Sequence, residues 1–348
     1  MEDNLFTKLG LSEEVLQSID AMGFEEPSQI QAQAIPVILD GHDIIGQAQT
    51  GTGKTLAYGA PIMSCMEHGA RQIRTLILVP TRELAIQVND ELNRLNRFTH
   101  FISIPVYGGQ PIDRQIRALQ RGVDIVVATP GRLLDHLNRG TVDFSHVHYF
   151  VLDESDEMLN MGFVDDIQQI LESIPKDRQT LLFSATMPPQ IRRLAQKYMK
   201  PDVKSVVIAK NTLTVDLTEQ FYFEVKQRDR FETLCRILDV DEPESAIIFC
   251  RTKRGVDELV ESMQSRGYIV EGMHGDMGQN QRQNTLKKFR DGSLDFLVAT
   301  DVAARGIDVE NVSHVINYEL PEDAESYVHR IGRTGRANHT GIAYSLVT

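Results

Sequence analysis

An eight-residue segment that begins at Ala48 has the residue types of a phosphate-binding loop. It reads Ala-Gln-Thr-Gly-Thr-Gly-Lys-Thr, follows an apolar run and precedes a helical pattern. Gly51 and Gly53 lack Cβ atoms, so the backbone can wrap around phosphate oxygens and direct its N–H groups at them. We expect Lys54 to bridge the β- and γ-phosphates of a nucleotide and the Thr55 hydroxyl to bind Mg²⁺. The generic pattern opens with glycine, and Ala48 departs from it.

A second chemical segment is the acidic sequence Val-Leu-Asp-Glu-Ser-Asp, which ends at Asp156. Asp153, at the tip of an apolar strand, is expected to hold Mg²⁺, partly through water. Glu154 beside it is expected to orient and activate the attacking water. A solvated acidic turn is the alternative for this segment taken alone. A phosphate loop in the same α/β unit favours the catalytic interpretation.

The third segment, residues 329–336, reads His-Arg-Ile-Gly-Arg-Thr-Gly-Arg. A helix that ends at Gly332 would let Arg333 and Arg336 project from one edge, and their planar guanidinium groups suit a γ-phosphoryl group in transfer. We predict that both act as arginine fingers. The alternative is a basic patch that binds nucleic-acid phosphates.

The elements that must position these residues are short apolar strands alternating with amphipathic helices. This alternation predicts an α/β fold, with parallel sheets covered by helices on both faces and functional loops at the carboxyl ends of the strands. The predicted strands are 43–47, 75–79, 102–107, 124–128, 148–152 and 180–183, then 221–225, 246–250, 269–273, 296–299, 314–318 and 342–347. The predicted helices include 82–96, 113–120, 163–173, 254–265, 281–290 and 324–331.

The scheme occurs twice, which predicts two domains. We expect a first domain over 1–208, a linker over the polar stretch 209–217 and a second domain over 218–348. A doubly wound domain usually adds a covering helix after its last strand, so we expect the second domain to be truncated at its carboxyl end.

The bulk composition excludes several classes of protein. The chain has 348 residues, of which 41% are hydrophobic and 24% charged, which is typical of a globular protein. No apolar run approaches the length of a membrane span, and we expect a cytoplasmic location. Cys65, Cys235 and Cys250 have no metal-ligand spacing and are expected to be reduced core thiols. The net charge of −13 means that any binding of a phosphate chain must use local groups.

The three segments, in this order, resemble the DEAD-box RNA helicases of superfamily 2, most closely the bacterial cold-shock-type members. The resemblance spans nearly the whole chain. It implies two tandem RecA-like domains with ATP and Mg²⁺ bound in the cleft between them. It further implies RNA-stimulated ATP hydrolysis, coupled to domain closure and to local unwinding of short RNA duplexes, and a role in stress response.

The resemblance extends to an upstream motif that selects adenine, Gly-Phe-Glu-Glu-Pro-Ser-Gln-Ile-Gln, which ends at Gln31 and is preceded by Phe6. Gln31 is expected to pair with the adenine edge and Phe24 to stack on the ring. Gly306 and Asp308 lie in a motif that approaches the nucleotide. The implied nucleotide-binding set is Phe6, Phe24, Gln31, Ala48, Gln49, Thr50, Gly51, Thr52, Gly53, Lys54, Thr55, Gly306 and Asp308.

The resemblance also implies RNA contacts made by hydroxyls, glycine amides and single arginines at strand ends. They are Pro80, Thr81, Arg82, Gly108, Gly109, Thr129, Pro130, Gly131, Arg132, Arg251, Thr252, Gly275, Asp276, Gln279, Arg282 and Thr300. Such groups hold a sugar-phosphate backbone and favour RNA without reading base sequence. Ser184, Thr186, Asp156 and His329 are implied to couple ATP binding to RNA binding.

One residue departs from the family pattern: Ser155 stands where the family has alanine. A buried hydroxyl needs a partner or costs about 1–3 kcal/mol, and we expect hydrolysis to survive the change. Two alternatives to a helicase remain open. One is an ATP-gated RNA clamp that unwinds little, and the other is a DNA-directed relative of the same superfamily.

Overall fold

The computed structural model describes residues 4–49, 51–67, 69, 71–208, 218–304, 309, 312–335 and 340–348. The chain divides into two compact units, Met1–Lys210 and Asn211–Thr348. The predicted linker, 209–217, lies outside the described residues. Each unit is a parallel sheet flanked by helices, so the predicted fold class is confirmed.

The sheet of the first unit has seven parallel strands in the order β3-β4-β2-β5-β6-β1-β7. Its strands are β1 (Ile44–Gln47), β2 (Thr75–Leu78), β3 (Ser103–Val106), β4 (Ile125–Ala128), β5 (Tyr149–Leu152), β6 (Gln179–Ser184) and β7 (Lys204–Val207). Because the strands are parallel, all their carboxyl ends lie at one edge of the sheet. The loops after β5, β6 and β1 are therefore neighbours, as are those after β3, β4 and β2.

A 3₁₀ turn over Leu5–Leu9 and nine helices complete the described part of this unit. The helices are α1 (Glu13–Ala21), α2 (Gln29–Leu39), α3 (Lys54–Cys65), α4 (Arg82–Leu95), α5 (Ile112–Gln120), α6 (Pro130–Asn138), α7 (Ser155–Asn160), α8 (Val164–Ser173) and α9 (Pro189–Tyr198). Side-chain caps fix two of the starts. Thr81 Oγ1 accepts a hydrogen bond from Leu84 N at α4, and Ser28 and Gln31 form a capping box at α2.

Both faces of this sheet are buried, which explains why its central strands are apolar without alternation. In β2, Ile77 packs into one hydrophobic cluster with α2, α3 and α4. Leu76 and Leu78 point to the opposite face and pack into a second cluster with α6 and α8. Successive side chains of a strand alternate between faces, so a strand covered on both sides needs apolar residues throughout.

The second unit repeats this plan with six parallel strands in the order β10-β11-β9-β12-β13-β8. The strands are β8 (Thr218–Glu224), β9 (Ala246–Phe249), β10 (Val270–Met273), β11 (Phe296–Ala299), β12 (His314–Asn317) and β13 (Gly341–Val347). Its helices are α10 (Arg230–Asp241), α11 (Lys253–Ser265), α12 (Gln279–Arg290), α13 (Asp301–Ala304) and α14 (Ala324–Ile331), with a 3₁₀ turn over Gln227–Asp229.

Two sequence-based expectations need correction. The strand Lys204–Val207 was not predicted, because it is a four-residue edge strand with only Val206 buried and it lacks the apolar run of a covered strand. Cys65 is exposed at the last turn of α3, whereas Cys235 and Cys250 are buried as expected. Within the described ranges, no helix has both the length and the apolar content needed to cross a membrane.

Candidate functional site

The predicted phosphate loop joins β1 to α3. Gly51 and Gly53 have φ angles of 79° and 83°, in the left-handed region where glycine carries no steric penalty. A Cβ atom at Gly53 would lie 2.3 Å from Gln31 Nε2, so the loop also needs the missing side chain for space. Ala48, where the generic pattern has glycine, is buried and donates its N–H to Ser184 O at 3.0 Å. Thr50 lies outside the described residues.

Lys54 begins α3 and is only 6% exposed. Its Nζ has no hydrogen-bond acceptor among the described residues and lies 3.8 Å from Asp153 Oδ1. A buried ammonium group without an acceptor is unfavourable. Phosphate oxygens bound by the glycine loop would supply the acceptors that Lys54 lacks. The residues present therefore fit a nucleotide phosphate chain.

The acidic segment lies at the carboxyl end of β5, two strands from the phosphate loop. Asp153 is 3% exposed, and its Oδ1 accepts the Glu154 N–H at 2.9 Å. Glu154 has φ 52° and ψ 48°, a left-handed conformation that costs a non-glycine residue of the order of 1–3 kcal/mol. Such strain persists where the surrounding structure enforces it, and it is concentrated at functional sites. The conformation therefore favours the catalytic interpretation over a solvated acidic turn.

Sequence reasoning missed Tyr58, whose hydroxyl donates a hydrogen bond to Asp153 Oδ2 at 3.1 Å. Burial raises the pKa of Tyr58 well above its usual value, the neighbouring Asp153 carboxylate raises it further, and a hydrogen bond with the Thr55 side chain opposes the rise. Tyr58 follows Lys54 by four residues and so shares its helix face. That spacing was a usable signal, although it does not reveal the partner.

Of the predicted magnesium ligands, Asp153 accepts the Tyr58 hydroxyl and Thr55 lies at the start of the same helix as Tyr58. In the described ranges, no three histidine, cysteine, aspartate or glutamate residues are grouped so that they could hold a metal ion. Hydroxyl and carboxylate oxygens are hard ligands of the kind that Mg²⁺ uses together with phosphate and water. The donor set thus fits Mg²⁺ bound with a nucleotide.

Within the acidic motif, Ser155 stands where the family pattern has alanine. Ser155 is fully buried, and among the described residues its Oγ has no hydrogen-bond partner. The partner that such a hydroxyl needs is therefore not present in the described part of the protein.

The loop after β6 is tied to the acidic segment through Asp156. Asp156 Oδ2 accepts hydrogen bonds from both the N–H and the hydroxyl of Thr186, at 2.8 and 2.9 Å. Ser184 Oγ in turn accepts the Asp156 N–H at 3.2 Å. The structure therefore brings these three predicted coupling residues together. His329, the fourth, lies half-buried on α14 in the second unit.

The predicted adenine-selecting residues have different surroundings. Phe24 is 45% exposed and offers a ring face for stacking. Gln31 Oε1 accepts the Ser28 N–H at 2.8 Å, and its Nε2 donates to Gly53 O at 3.1 Å, which ties the segment to the phosphate loop. One amide hydrogen and one oxygen lone pair of Gln31 remain for a base edge.

Phe6, the remaining upstream residue of the predicted nucleotide-binding set, is not at the surface. Its side chain is fully buried in the hydrophobic core of the first unit and presents no surface to a ligand. Its segment instead supports the loop that carries Phe24, because Asn4 Nδ2 donates to Phe24 O at 2.8 Å and Leu5 N donates to Glu25 O at 3.0 Å.

The predicted RNA contacts of the first unit lie after three adjacent strands, β3, β4 and β2. The guanidinium of Arg82 lies against the Gly108-Gly109 backbone, where a Cβ atom at Gly109 would be 2.3 Å from Arg82 Nη1. Arg132 Nη1 donates to Gln110 O at 3.1 Å. Gly131 is exposed, with open space where a Cβ would lie. Pro80, Thr81, Thr129 and Pro130 are buried parts of the same strand ends.

A buried amide that sequence reasoning missed connects these loops. Gln115 on α5 accepts a hydrogen bond from Arg132 Nη1 at 3.1 Å and donates to Tyr107 O at 2.8 Å. His136 Nε2 lies 3.0 Å from the same Gln115 oxygen, and burial lowers the pKa of His136. The two ends of one amide thus hold Arg132 and the backbone that leads to Gly108.

The second unit repeats the arrangement after β9, β10 and β11, which are also adjacent. The Arg251 N–H donates to Glu319 Oε2 at 2.7 Å, and Thr252 caps α11. Asp276 pairs with Lys253 at 2.5 Å beside the exposed Gly275. The remaining predicted contacts are buried: Gln279, Arg282 and Thr300.

The arginines of residues 329–336 differ in their surroundings. Arg330 is buried, with its Nε and Nη2 donating to the two oxygens of Asp301 at 2.6 and 2.7 Å. It therefore joins α14 to α13 and is a structural residue that sequence reasoning did not assign. Arg333 follows α14 and is half-buried, with Gly332 at the helix end as predicted. Arg336, Gly306 and Asp308 lie outside the described residues.

Comparison with protein families agrees with this geometry. The model of the DEAD/DEAH box helicase family matches residues 28–194, and that of the helicase conserved C-terminal domain matches residues 229–338. The chain is 53% identical over 343 residues to the DEAD-box ATP-dependent RNA helicase CshA of Geobacillus kaustophilus, covering 99% of this chain and 73% of that protein.

Other relatives cover the chain to a similar extent. The CshA helicase of Bacillus subtilis is 52% identical, with 99% of this chain and 69% of that protein covered. The ATP-dependent RNA helicase CshA of Listeria monocytogenes is also 52% identical, with 98% of this chain and 66% of that protein covered. Several Bacillus relatives are covered to only 64–65% of their length, so the chain spans about two thirds of these proteins.

Two solved structures extend the comparison. The S. cerevisiae protein Dbp5, bound to RNA and ADP BeF3, is 34% identical with a TM-score of 0.87, and 99% of this chain and 89% of that chain are covered. A DEAD box protein from Methanococcus jannaschii is 45% identical with a TM-score of 0.58, and 98% of this chain and 92% of that chain are covered.

Proposed function

The chain belongs to the DEAD-box family of ATP-dependent RNA helicases, and on this premise we propose that it hydrolyses ATP in an RNA-stimulated reaction and opens short RNA duplexes. The observation that carries the proposal is Lys54, buried without an acceptor beside Asp153 at the glycine loop. The relatives named as ATP-dependent RNA helicases, and the Dbp5 structure with RNA and ADP BeF3, support the same activity.

The first unit binds the nucleotide in this proposal. The N–H groups of the glycine loop and the Lys54 ammonium hold the phosphate chain. Thr55 and Asp153 would hold Mg²⁺, which would neutralise negative charge on the phosphate chain. Phe24 stacks on the adenine, and Gln31 pairs with its edge through the amide positions that its protein contacts leave open.

Glu154 performs the proton chemistry. Its carboxylate accepts a hydrogen bond from the attacking water and orients that water towards the γ-phosphorus. Arg333 and Arg336 stabilise the negative charge on the transferred phosphoryl group. Because these arginines belong to the other domain, hydrolysis requires domain closure in this account, with 209–217 as the linker.

RNA binds along the strand-end loops of both units. Arginine side chains and loop amides hold phosphates, and hydroxyls near the sugars favour RNA over DNA through the 2′-hydroxyl. Such contacts tolerate any sequence. Asp156, Ser184, Thr186 and His329 are proposed to link this surface to the nucleotide, and the hydrogen bonds that join the first three support the link. We place this activity in the cytoplasm.

Replacement of Glu154 by Gln tests the assignment. Gln keeps the side-chain size but is a far weaker base, so we expect ATP affinity to stay within about threefold while turnover falls at least 100-fold, in the range for a lost general base. Nucleotide binding by calorimetry and steady-state phosphate release measure the two quantities. Glu172→Gln, an exposed carboxylate on α8, is the control and should change neither. Turnover near the wild-type rate in Glu154→Gln would refute the role of Glu154.

Strand separation distinguishes the proposal from an ATP-gated clamp. The helicase account predicts that a short RNA duplex is opened at a rate that follows ATP hydrolysis. Retention of RNA in ATP without strand opening, at the same hydrolysis rate, would indicate the clamp.

A further inference from the structure

The Tyr58 hydroxyl contacts Asp153, one of the two residues that the proposed function assigns to Mg²⁺. It donates to Asp153 Oδ2 at 3.1 Å, and Thr55 lies three residues earlier on the same helix, α3. Tyr58, the donor of this contact, belongs to neither the phosphate loop nor the acidic segment. Tyr58 is not among the residues that the proposed function assigns to the nucleotide or to Mg²⁺.

Packing fixes the position of this hydroxyl. Tyr58 is fully buried, and its ring lies 5.4 Å from that of Phe183 on β6, with an interplanar angle of 52°. Its ring therefore has little freedom to move away from Asp153, and tyrosine loses little conformational entropy on being held because it has only two side-chain torsions.

The contact completes the restraint of the Asp153 carboxylate. Oδ1 accepts the Glu154 N–H at 2.9 Å, and Oδ2 accepts the Tyr58 hydroxyl. A carboxylate held at both oxygens has one preferred orientation. Hydrogen-bond partners of this kind orient metal-binding side chains, and their loss typically lowers metal affinity 10- to 100-fold.

The geometry points to Tyr58 as a positioning residue that orients Asp153 for Mg²⁺ bound with a nucleotide. This inference rests on the proposed function, because it deepens the same site. If Tyr58 had only a structural role, loss of its hydroxyl would affect folding or would weaken nucleotide binding equally with and without Mg²⁺. It would have no selective effect on Mg²⁺ binding.

Tyr58→Phe removes the hydroxyl and keeps the ring against Phe183. Binding of a fluorescent ADP is titrated with Mg²⁺, and the Mg²⁺ concentration that gives half of the maximal increase in binding is determined. ADP affinity is measured separately in EDTA. We expect the half-maximal Mg²⁺ concentration to rise about tenfold and ADP affinity in EDTA to stay within about twofold. Tyr149→Phe on β5, which loses a half-buried hydroxyl away from the loop, is the control and should match wild type.

A double-mutant comparison tests whether Tyr58 acts through Asp153. In an Asp153→Asn background the Tyr58→Phe change should no longer alter the Mg²⁺ dependence, because its target is gone. Thermal unfolding checks that each variant is folded. An unchanged Mg²⁺ dependence in Tyr58→Phe, or equal losses of ADP affinity with Mg²⁺ and in EDTA, would overturn the inference and leave the proposed function intact. Absence of ADP binding by the wild-type chain would refute the proposed function itself.

Discussion

Three residues of the first unit are unusual: Glu154 and Ser155, which follow β5, and Lys54, which begins α3. Glu154 is held in a left-handed conformation, Lys54 is buried without an acceptor, and the Ser155 hydroxyl is buried without a partner, among the described residues. Each is unfavourable for folding alone. The proposed nucleotide site accounts for the first two, because Lys54 would face the phosphate oxygens and Glu154 would face the attacking water. Nothing in the described structure explains the third.

Replacement of Ser155 by Ala should stabilise the protein. It removes a buried hydroxyl that lacks a partner, so we expect the free energy of unfolding to rise by about 1 kcal/mol and ATP hydrolysis to stay within about twofold. Urea unfolding measures the first quantity. Ser18→Ala is the matched control, since Ser18 is equally buried but its hydroxyl donates to Glu14 O at 2.9 Å. Destabilisation of Ser155→Ala equal to that of the control would show that the Ser155 hydroxyl is bonded.

Residue type and spacing predicted the functional residues that lie together in short sequence motifs. The Asp156–Thr186 hydrogen bonds lie where the family resemblance implied them. The spacing that selected Phe6 as a predicted nucleotide contact does not reveal that its ring is buried in the core. Tyr58 and Gln115 were missed for the converse reason. The partner of Tyr58 is 95 residues away in sequence, and the partners of Gln115 are 8, 17 and 21 residues away, so these contacts form only in the folded unit.

At the scale of elements, the strand order separates the predicted nucleotide-site loops from the predicted RNA contacts. In the first unit β5, β6 and β1 are adjacent and carry the acidic, coupling and phosphate-binding loops, whereas β3, β4 and β2 carry the predicted RNA contacts. The strand-end rule for parallel sheets predicted that these loops share an edge. It did not give the strand order, which depends on which strands pair.

Gln115 is expected to position the RNA contacts of two loops. Gln115→Leu leaves Arg132 and the Tyr107 carbonyl without their amide partner. We expect the RNA concentration for half-maximal ATPase stimulation to rise about tenfold, while the KM for ATP without RNA stays within about twofold. Gln120→Leu, at an exposed position on the same helix, is the control. A parallel change in both constants would indicate general destabilisation of the first unit.

Arg330 is expected to be structural. Arg330→Met would leave the Asp301 carboxylate without its bidentate partner and should destabilise the second unit by roughly 3–5 kcal/mol. Arg254→Met breaks a pair of similar length, 2.7 Å to Glu258, that is exposed and should matter little. Urea unfolding of the two variants compares them. Equal stabilities would mean that the buried pair contributes no more than the exposed one.

Secondary structure was most predictable where burial decides the residue type. The strand Phe296–Ala299 and the helix Ala324–Ile331 have the predicted limits, because the apolar run lies between Asp295 and Thr300 and the amphipathic stretch ends at Gly332. The strand Thr218–Glu224 begins three residues before its predicted start. Its first three residues are polar and pair with Gly341–Ala343. Backbone pairing does not require apolar side chains, so no apolar pattern marks these positions in the sequence.

At the scale of the whole molecule, the net charge of −13 limits how RNA can be held. Among the predicted RNA contacts only four side chains are cationic: Arg82, Arg132, Arg251 and Arg282. Neutralisation of single-strand phosphates gives a slope of about −0.7 per contact in a plot of log affinity against log salt concentration. We therefore expect a slope of about −3 for single-stranded RNA in fluorescence anisotropy. A slope near −6 would require cationic contacts that the account lacks.

ATP hydrolysis measured without nucleic acid, with single-stranded RNA and with single-stranded DNA of the same sequence tests the central claim most directly. The account predicts a low basal rate that RNA raises at least tenfold, with little effect of DNA, because loop amides and hydroxyls that contact the sugar favour the 2′-hydroxyl. Equal stimulation by DNA, or a rate that RNA does not change, would contradict it.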